Sequence, residues 1–147
     1  MQPATTDQDP ARDRPGRHNG GMSHPFKVRT GLDRLIHAAR NSAAGLRAAW
    51  RFESAFRQEC ALAVVMLPAA FWLGTTWVER SLLASTIVLV LMAELLNSGI
   101  ESVVDRFGPE LNELSGRAKD YGSAAVTLAL LACGLTWGAS ILHKLYP

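Results

Sequence analysis

Four polar residues recur through an otherwise apolar stretch: Glu94, Asn97, Glu101 and Asp105, at steps of 3, 4 and 4 residues. On a helix turning about 100° per residue, they fall within about 80° of arc and form a column roughly 16 Å tall. Stacked carboxylates with an amide oxygen suit a hard cation. Mg²⁺ in particular binds through one or two carboxylates plus the phosphates of a substrate. A carboxylate withdrawn from water also holds a proton more tightly, which makes it a better base near neutral pH. The column runs from the wet end of the segment towards its dry middle, as a meeting point of a water-soluble donor and a lipid acceptor requires.

The cost of that column argues for a use. Counted from Leu82, Glu94 lies about 18 Å along the segment, and a carboxylate at such depth in hydrocarbon costs about 3 kcal/mol on insertion scales. A lone Asn97 would serve as interhelical glue. Three carboxylates and an amide on one stripe fit that role poorly.

A second polar run, Glu110-Leu-Asn-Glu-Leu-Ser-Gly-Arg-Ala-Lys-Asp120, precedes the last apolar segment and reads as a loop. Arg117 and Lys119 can meet phosphates, and its carboxylates can take metal or ribose hydroxyls. Taken alone it is equally an ordinary solvated loop. No GxxxxGK[ST] phosphate loop occurs in the chain. Asp105-Arg-Phe-Gly108 lacks the form and context of the protein-kinase DFG segment.

The elements that must position these residues are apolar. Three segments, about Cys60–Val78 with Pro68 inside, Leu82–Ile100, and Ser123–Leu142, each approach the roughly 20 residues needed to cross hydrocarbon as a helix. Ahead of them Leu32, Leu35, Ile36, Ala39, Ala43, Leu46 and Trp50 recur at helical spacing and make one apolar stripe, flanked by Arg40, Arg47 and Arg51. This predicts an amphipathic helix on the membrane surface or packed as a cap on the spans, with Trp50 at headgroup level and Gly45 as an expected break.

Charge sets the orientation. Of the 15 Lys and Arg, ten lie in residues 1–59, although the net charge is only +2. The first connection holds Arg80, the second Arg106, Arg117 and Lys119, and the C-terminus Lys144. The bias places the N-terminus and the second connection in the cytoplasm and the C-terminus outside. The basic excess suits a membrane surface, and no nucleic-acid partner is expected. Residues 1–30 contain no apolar core of a signal peptide, and their Pro, Gly, Asp and Arg content predicts a disordered tail, with Met22 an alternative start. Cys60 and Cys133 form no ligand pattern and read as small apolar filler. His18, His24, His37 and His143 form no cluster.

Specific stretches carry a resemblance: Gly45-Leu-Arg-Ala-Ala-Trp50, Glu53, Ala55-Phe-Arg-Gln-Glu59, Glu94-Leu-Leu-Asn-Ser98, Ile100-Glu-Ser-Val-Val-Asp-Arg106, Glu113-Leu-Ser-Gly-Arg-Ala-Lys-Asp120 and Gly122-Ser-Ala-Ala125. From about Gly31 onward the chain resembles the prokaryotic diacylglycerol kinase family of small integral membrane enzymes. The resemblance implies an all-α membrane protein: a surface helix over about 32–57, transmembrane helices over about 58–78, 81–106 and 119–143, and a homotrimeric helical bundle with active sites shared between subunits. It implies ATP-dependent phosphorylation of diacylglycerol to phosphatidic acid, for lipid recycling, at the cytoplasmic face of the inner membrane.

Residue by residue, the resemblance puts Glu94 on the general-base position and Glu53 and Glu101 on the positions that hold Mg²⁺ bridging to ATP. Arg34, Asn41, Glu110, Asn112, Lys119 and Asp120 join Glu53 and Glu101 as nucleotide contacts. Some relatives carry an aromatic where Asn41 stands. Lipid contacts fall on Arg34, Arg47, Trp50, Ala55, Phe56, Arg57, Gln58, Glu59, Trp72, Arg80, Glu94 and Ser123, with Asn97, Asp105 and Glu113 as supporting polar residues. An undecaprenol kinase of the same fold would share the chemistry. A proton or ion pathway protein would also keep intramembrane carboxylates, but has no use for Glu53 and the run Glu113 to Asp120. A structural membrane adaptor is left without a reason for Glu94. Gly134 and Gly138 have the spacing for close helix approach.

Overall fold

The computed structural model describes residues 31–108 and 112–146, so the tail of residues 1–30 and Glu110 lie outside the described residues. Four helices and no strand are present among them: α1 (Leu32–Phe52), α2 (Ser54–Leu73), α3 (Trp77–Asp105) and α4 (Glu113–Leu145). The last three are long and apolar enough to cross a membrane by length and composition. The expected class, an all-α membrane protein with three spans and an N-terminal amphipathic helix, is the one found.

The ends of the elements differ from expectation in instructive ways. α1 continues through Gly45. One glycine costs a helix about 1 kcal/mol against alanine, and the flanking Ala43, Ala44, Leu46 and Arg47 are good helix formers. The surface helix ends instead at Glu53, which is extended (φ −102°, ψ 114°) and serves as the last cap of α1 and the first of α2. Residues 54–57 therefore begin the next helix. Arg57 stabilises the corner by donating to the carbonyls of Trp50 (3.1 Å) and Arg51 (3.5 Å), which have no partner further along α1. Phe56 and Ala49 are buried beneath it.

The connection of α2 to α3 is the three residues Gly74–Thr76. Thr76 and Glu79 form a reciprocal capping box, and Glu79 also accepts from the Thr75 amide at 2.7 Å. Arg80 Nε donates to the Gly74 carbonyl (3.0 Å) from the other side. A Cβ at Gly74 would stand 2.9 Å from the Arg80 nitrogen, so only glycine fits this turn. α4 starts at Glu113, not near residue 119. Asn112 Oδ1 accepts from the amides of Leu114 (2.9 Å) and Ser115 (3.3 Å), and this cap converts the expected loop Glu113–Asp120 into the first two turns of α4.

α3 is the central helix, packed against α2 and more extensively against α4. Two small clusters form the core. Ala70, Leu73 and Leu83 make one; Val90, Ala129 and Cys133 make the other; Trp137 packs against both. Small residues let the helix backbones approach closely. Gly134 and Gly138 are not used this way within the chain, since a Cβ at either would meet open space. Large apolar side chains such as Val64, Val65, Leu128 and Leu135 are instead more than 60% exposed, as surfaces bathed in lipid tolerate. At the far end Lys144 Nζ donates to the Trp72 carbonyl (2.7 Å) and lies 4.4 Å from that indole, while the Arg80 guanidinium lies 5.0 Å from the Trp77 ring.

Candidate functional site

Glu94 is the centre of the site. It is only 6% exposed, although it sits mid-helix on α3. The charges of Glu101, about two turns along α3, and of Glu53, at the α1–α2 corner, both act on it. Glu59 of α2 lies within reach of the Glu94 charge as well. Residues from three elements are thus brought to one side of α3, and the extended backbone at Glu53 is what lets that carboxylate reach there. Glu59 Oε2 is buried and finds no hydrogen-bond partner among the described residues.

The polar residues of α3 find different partners. Asn97 Nδ2 donates to Glu101 Oε1 at 3.1 Å. Asp105 is drawn away from the column into an ion pair with Lys119 at 2.5 Å. Their side chains are 65% and 41% exposed, and exposed pairs of this kind contribute at most about 1 kcal/mol. The pair ties the end of α3 to the second turn of α4.

A groove of about 630 Å³ separates α1 from α3. Ser42, Gly45, Ala49 and Glu53 line one wall and Leu95, Ser98, Gly99 and Ser102 the other. Ser98 is buried, and Ser102 donates to its carbonyl at 2.8 Å. Sequence reading passed over both serines. The signal was present, because Ser98 and Ser102 stand four and eight residues after Glu94. A second groove, about 510 Å³ between α3 and α4, is walled by Leu89, Met92, Leu96, Ile100 and Leu128, with Asn97 and Tyr121 as its polar members.

Not every expected residue joins this site. Arg34, Asn41, Arg47 and Trp50 are exposed along α1, and Arg47 Nε returns to the Ala43 carbonyl (3.1 Å). Ala55 and Gln58 are exposed and Phe56 is buried at the start of α2. Glu113, Asp120 and Ser123 are exposed on α4, and the Asn112 carboxamide oxygen is engaged in its cap. Trp72 and Arg80 are not brought together with the others. Trp72 stands at the far end of α2, about 29 Å from Glu53 at 1.5 Å per residue, and Arg80, in the first turn of α3, holds the α2–α3 turn. Arg57, expected at lipid, also clasps the corner at Glu53.

The donor set bears on a metal. Among the described residues, no three His, Cys, Asp or Glu side chains converge to ligate one ion. Glu53 and Glu101 are two carboxylates whose charges both act on the buried Glu94, and neither forms an ion pair among the described residues. Two carboxylates completed by phosphate oxygens are the set that Mg²⁺ accepts, so these residues fit a metal that arrives with its nucleotide.

Comparison with known proteins agrees with this architecture. Residues 40–141 match the family model described as prokaryotic diacylglycerol kinase. The chain is 51% identical over 109 residues to the diacylglycerol kinase of Haemophilus influenzae, covering 74% of this chain and 92% of that one. It is 52% identical over 108 residues to the diacylglycerol kinase of Escherichia coli (strain K12), covering 74% and 88%. With the diacylglycerol kinase of Pseudomonas aeruginosa it shares 48% identity over 118 residues, 80% of this chain and 96% of the relative.

Proposed function

The chain belongs to the prokaryotic diacylglycerol kinase family, and from that membership we propose that it transfers the γ-phosphoryl group of ATP to the free hydroxyl of diacylglycerol, giving phosphatidic acid and ADP at the cytoplasmic face of the bacterial inner membrane. The observation that carries this reading is Glu94: a buried carboxylate on a membrane-spanning helix, acted on by Glu53 and Glu101.

In this reading Glu94 accepts the proton of the lipid hydroxyl as its oxygen attacks the γ-phosphorus, and the bond to the β–γ bridging oxygen breaks to release ADP. Glu53 and Glu101 hold Mg²⁺, which, when bound, offsets negative charge on the phosphates. Lys119 and Asp120 at the start of α4, with Arg34 and Asn41 on α1, contact the nucleotide. Asn112 keeps its amide nitrogen for that purpose, since its cap uses only the oxygen, and Glu110 is assigned to the same contact. Arg47, Trp50, Gln58 and Glu59 border the lipid hydroxyl, and the apolar α3–α4 groove suits acyl chains. The exposed apolar faces support a homotrimer in which neighbouring copies complete each site.

The test is purified protein in lipid micelles with labelled ATP and a panel of lipid alcohols. Label appearing in phosphatidic acid is the expected result. Label confined to undecaprenol would move the chain to the polyprenol branch, and no transfer to any lipid would overturn kinase function.

A further inference from the structure

Glycine in the middle of a helix costs about 1 kcal/mol relative to alanine, and α4 contains four: Gly116, Gly122, Gly134 and Gly138. Three have open space where a Cβ would stand. Gly122 does not. A Cβ there would fall on Asn97 Oδ1, 3.3 Å from Asn97 Cγ and 3.5 Å from its Cα. The hydrogen that glycine carries in that direction therefore points at the amide oxygen, which is buried and has no conventional donor among the described residues. A Cα–H···O contact of this kind is weak, but it accounts for the absence of any side chain at this position.

The other end of the same amide touches the site. Asn97 Nδ2 donates to Glu101 Oε1 at 3.1 Å. The two ends are coupled by a rigid planar group. If Asn97 rotates away from α4, it breaks its bond to Glu101. If the amide flips, its oxygen faces a carboxylate. Only the observed orientation satisfies both neighbours, and it exists because residue 122 has no Cβ.

We infer that Gly122 is a positioning residue: by leaving room for Asn97 it fixes the rotamer of the Glu101 carboxylate, and so sets the affinity of the site for a divalent cation bound with a nucleotide. The inference rests on Glu101 holding metal, as proposed above. Partners that orient a ligating carboxylate are commonly worth 10- to 100-fold in metal affinity.

The experiment titrates Mn²⁺ together with a non-hydrolysable ATP analogue into protein in lipid micelles, followed by electron paramagnetic resonance, for the native chain, Gly122→Ala, Asn97→Ala and the double variant. Gly122→Ala should weaken Mn²⁺–nucleotide binding about tenfold while leaving the KM for lipid unchanged. Asn97→Ala should weaken it similarly, and adding Gly122→Ala to Asn97→Ala should change nothing further. Native-strength binding by Gly122→Ala overturns the inference, as does an effect of Gly122→Ala that persists in full without Asn97. If Gly122→Ala does not fold, the double variant decides: recovery of folding with Asn97→Ala binding supports the relay, and failure of both refutes it. Native protein that binds no Mn²⁺–nucleotide refutes the metal reading and the relay with it, an outcome distinct from native binding that Gly122→Ala leaves intact.

Discussion

Glu94 and Asn97 stand three residues apart on the same helix, yet burial separates their roles. A carboxylate that is 6% exposed with no cation beside it among the described residues fits the proposed role of base, since a neutral residue there would insert at lower cost. Glu94→Gln preserves shape and removes proton acceptance. Turnover in the micelle assay should fall on the order of 100-fold or more, with the helical signal unchanged; near-native turnover would remove Glu94 from the role of base. Glu53→Ala acts on the other partner. It should raise the Mg²⁺ concentration needed for half-maximal rate and leave lipid KM alone, and an unaltered metal dependence would count against a Glu53–Glu101 site. The column itself was legible from spacing, because a membrane span has few polar residues to confuse the pattern. Glu53 was not legible from spacing. Its nearness to Glu94 depends on a corner that no local periodicity encodes, and only resemblance pointed to it.

At the level of elements, that corner is the least expected feature. Apart from Gly45, no strong helix breaker stands between Leu32 and α2, so propensity gives no reason to stop at Phe52. The reason lies in Arg57, whose guanidinium takes the carbonyls of Trp50 and Arg51 and makes the break cheap. Arg57→Ala should destabilise the fold by about 1 kcal/mol, seen as faster thermal inactivation in micelles. A variant with native stability and only a raised lipid KM would make Arg57 a lipid contact and nothing more. Two other boundaries were legible and went unread. Thr76-Trp-Val-Glu79 is a capping box in plain sequence, and Asn112 ahead of Glu113 is a cap preceding an acidic first turn. Each starts its helix several residues before apolar content alone suggests. Hydropathy marks where a helix enters hydrocarbon, not where it begins.

For the molecule as a whole, the arrangement of charge predicts an inward N-terminus, with Lys119 on the cytoplasmic side and Tyr146 outside. Cysteine labelling from outside intact spheroplasts should reach a probe at Tyr146 and miss one at Lys119; the reverse pattern would separate the site from cytoplasmic ATP and defeat the mechanism. The three spans and their order were legible because apolar length is a whole-segment property. Which faces meet was not, because α4 is apolar nearly all round and carries no stripe to orient it.

The three-residue connection at Gly74–Thr76 bears on how such a chain assembles. Closing so short a loop costs little entropy, and the contacts nearest the turn are close in sequence. α2 and α3 therefore have the makings of a helical hairpin that enters the bilayer as one unit, already clamped by Glu79 and Arg80, before α4 docks against it. Drawing the chain out of a bilayer by its C-terminus should release α4 first and α2 with α3 afterwards in a single step. Separate steps for α2 and α3 would show that the turn sets geometry without setting the order of assembly.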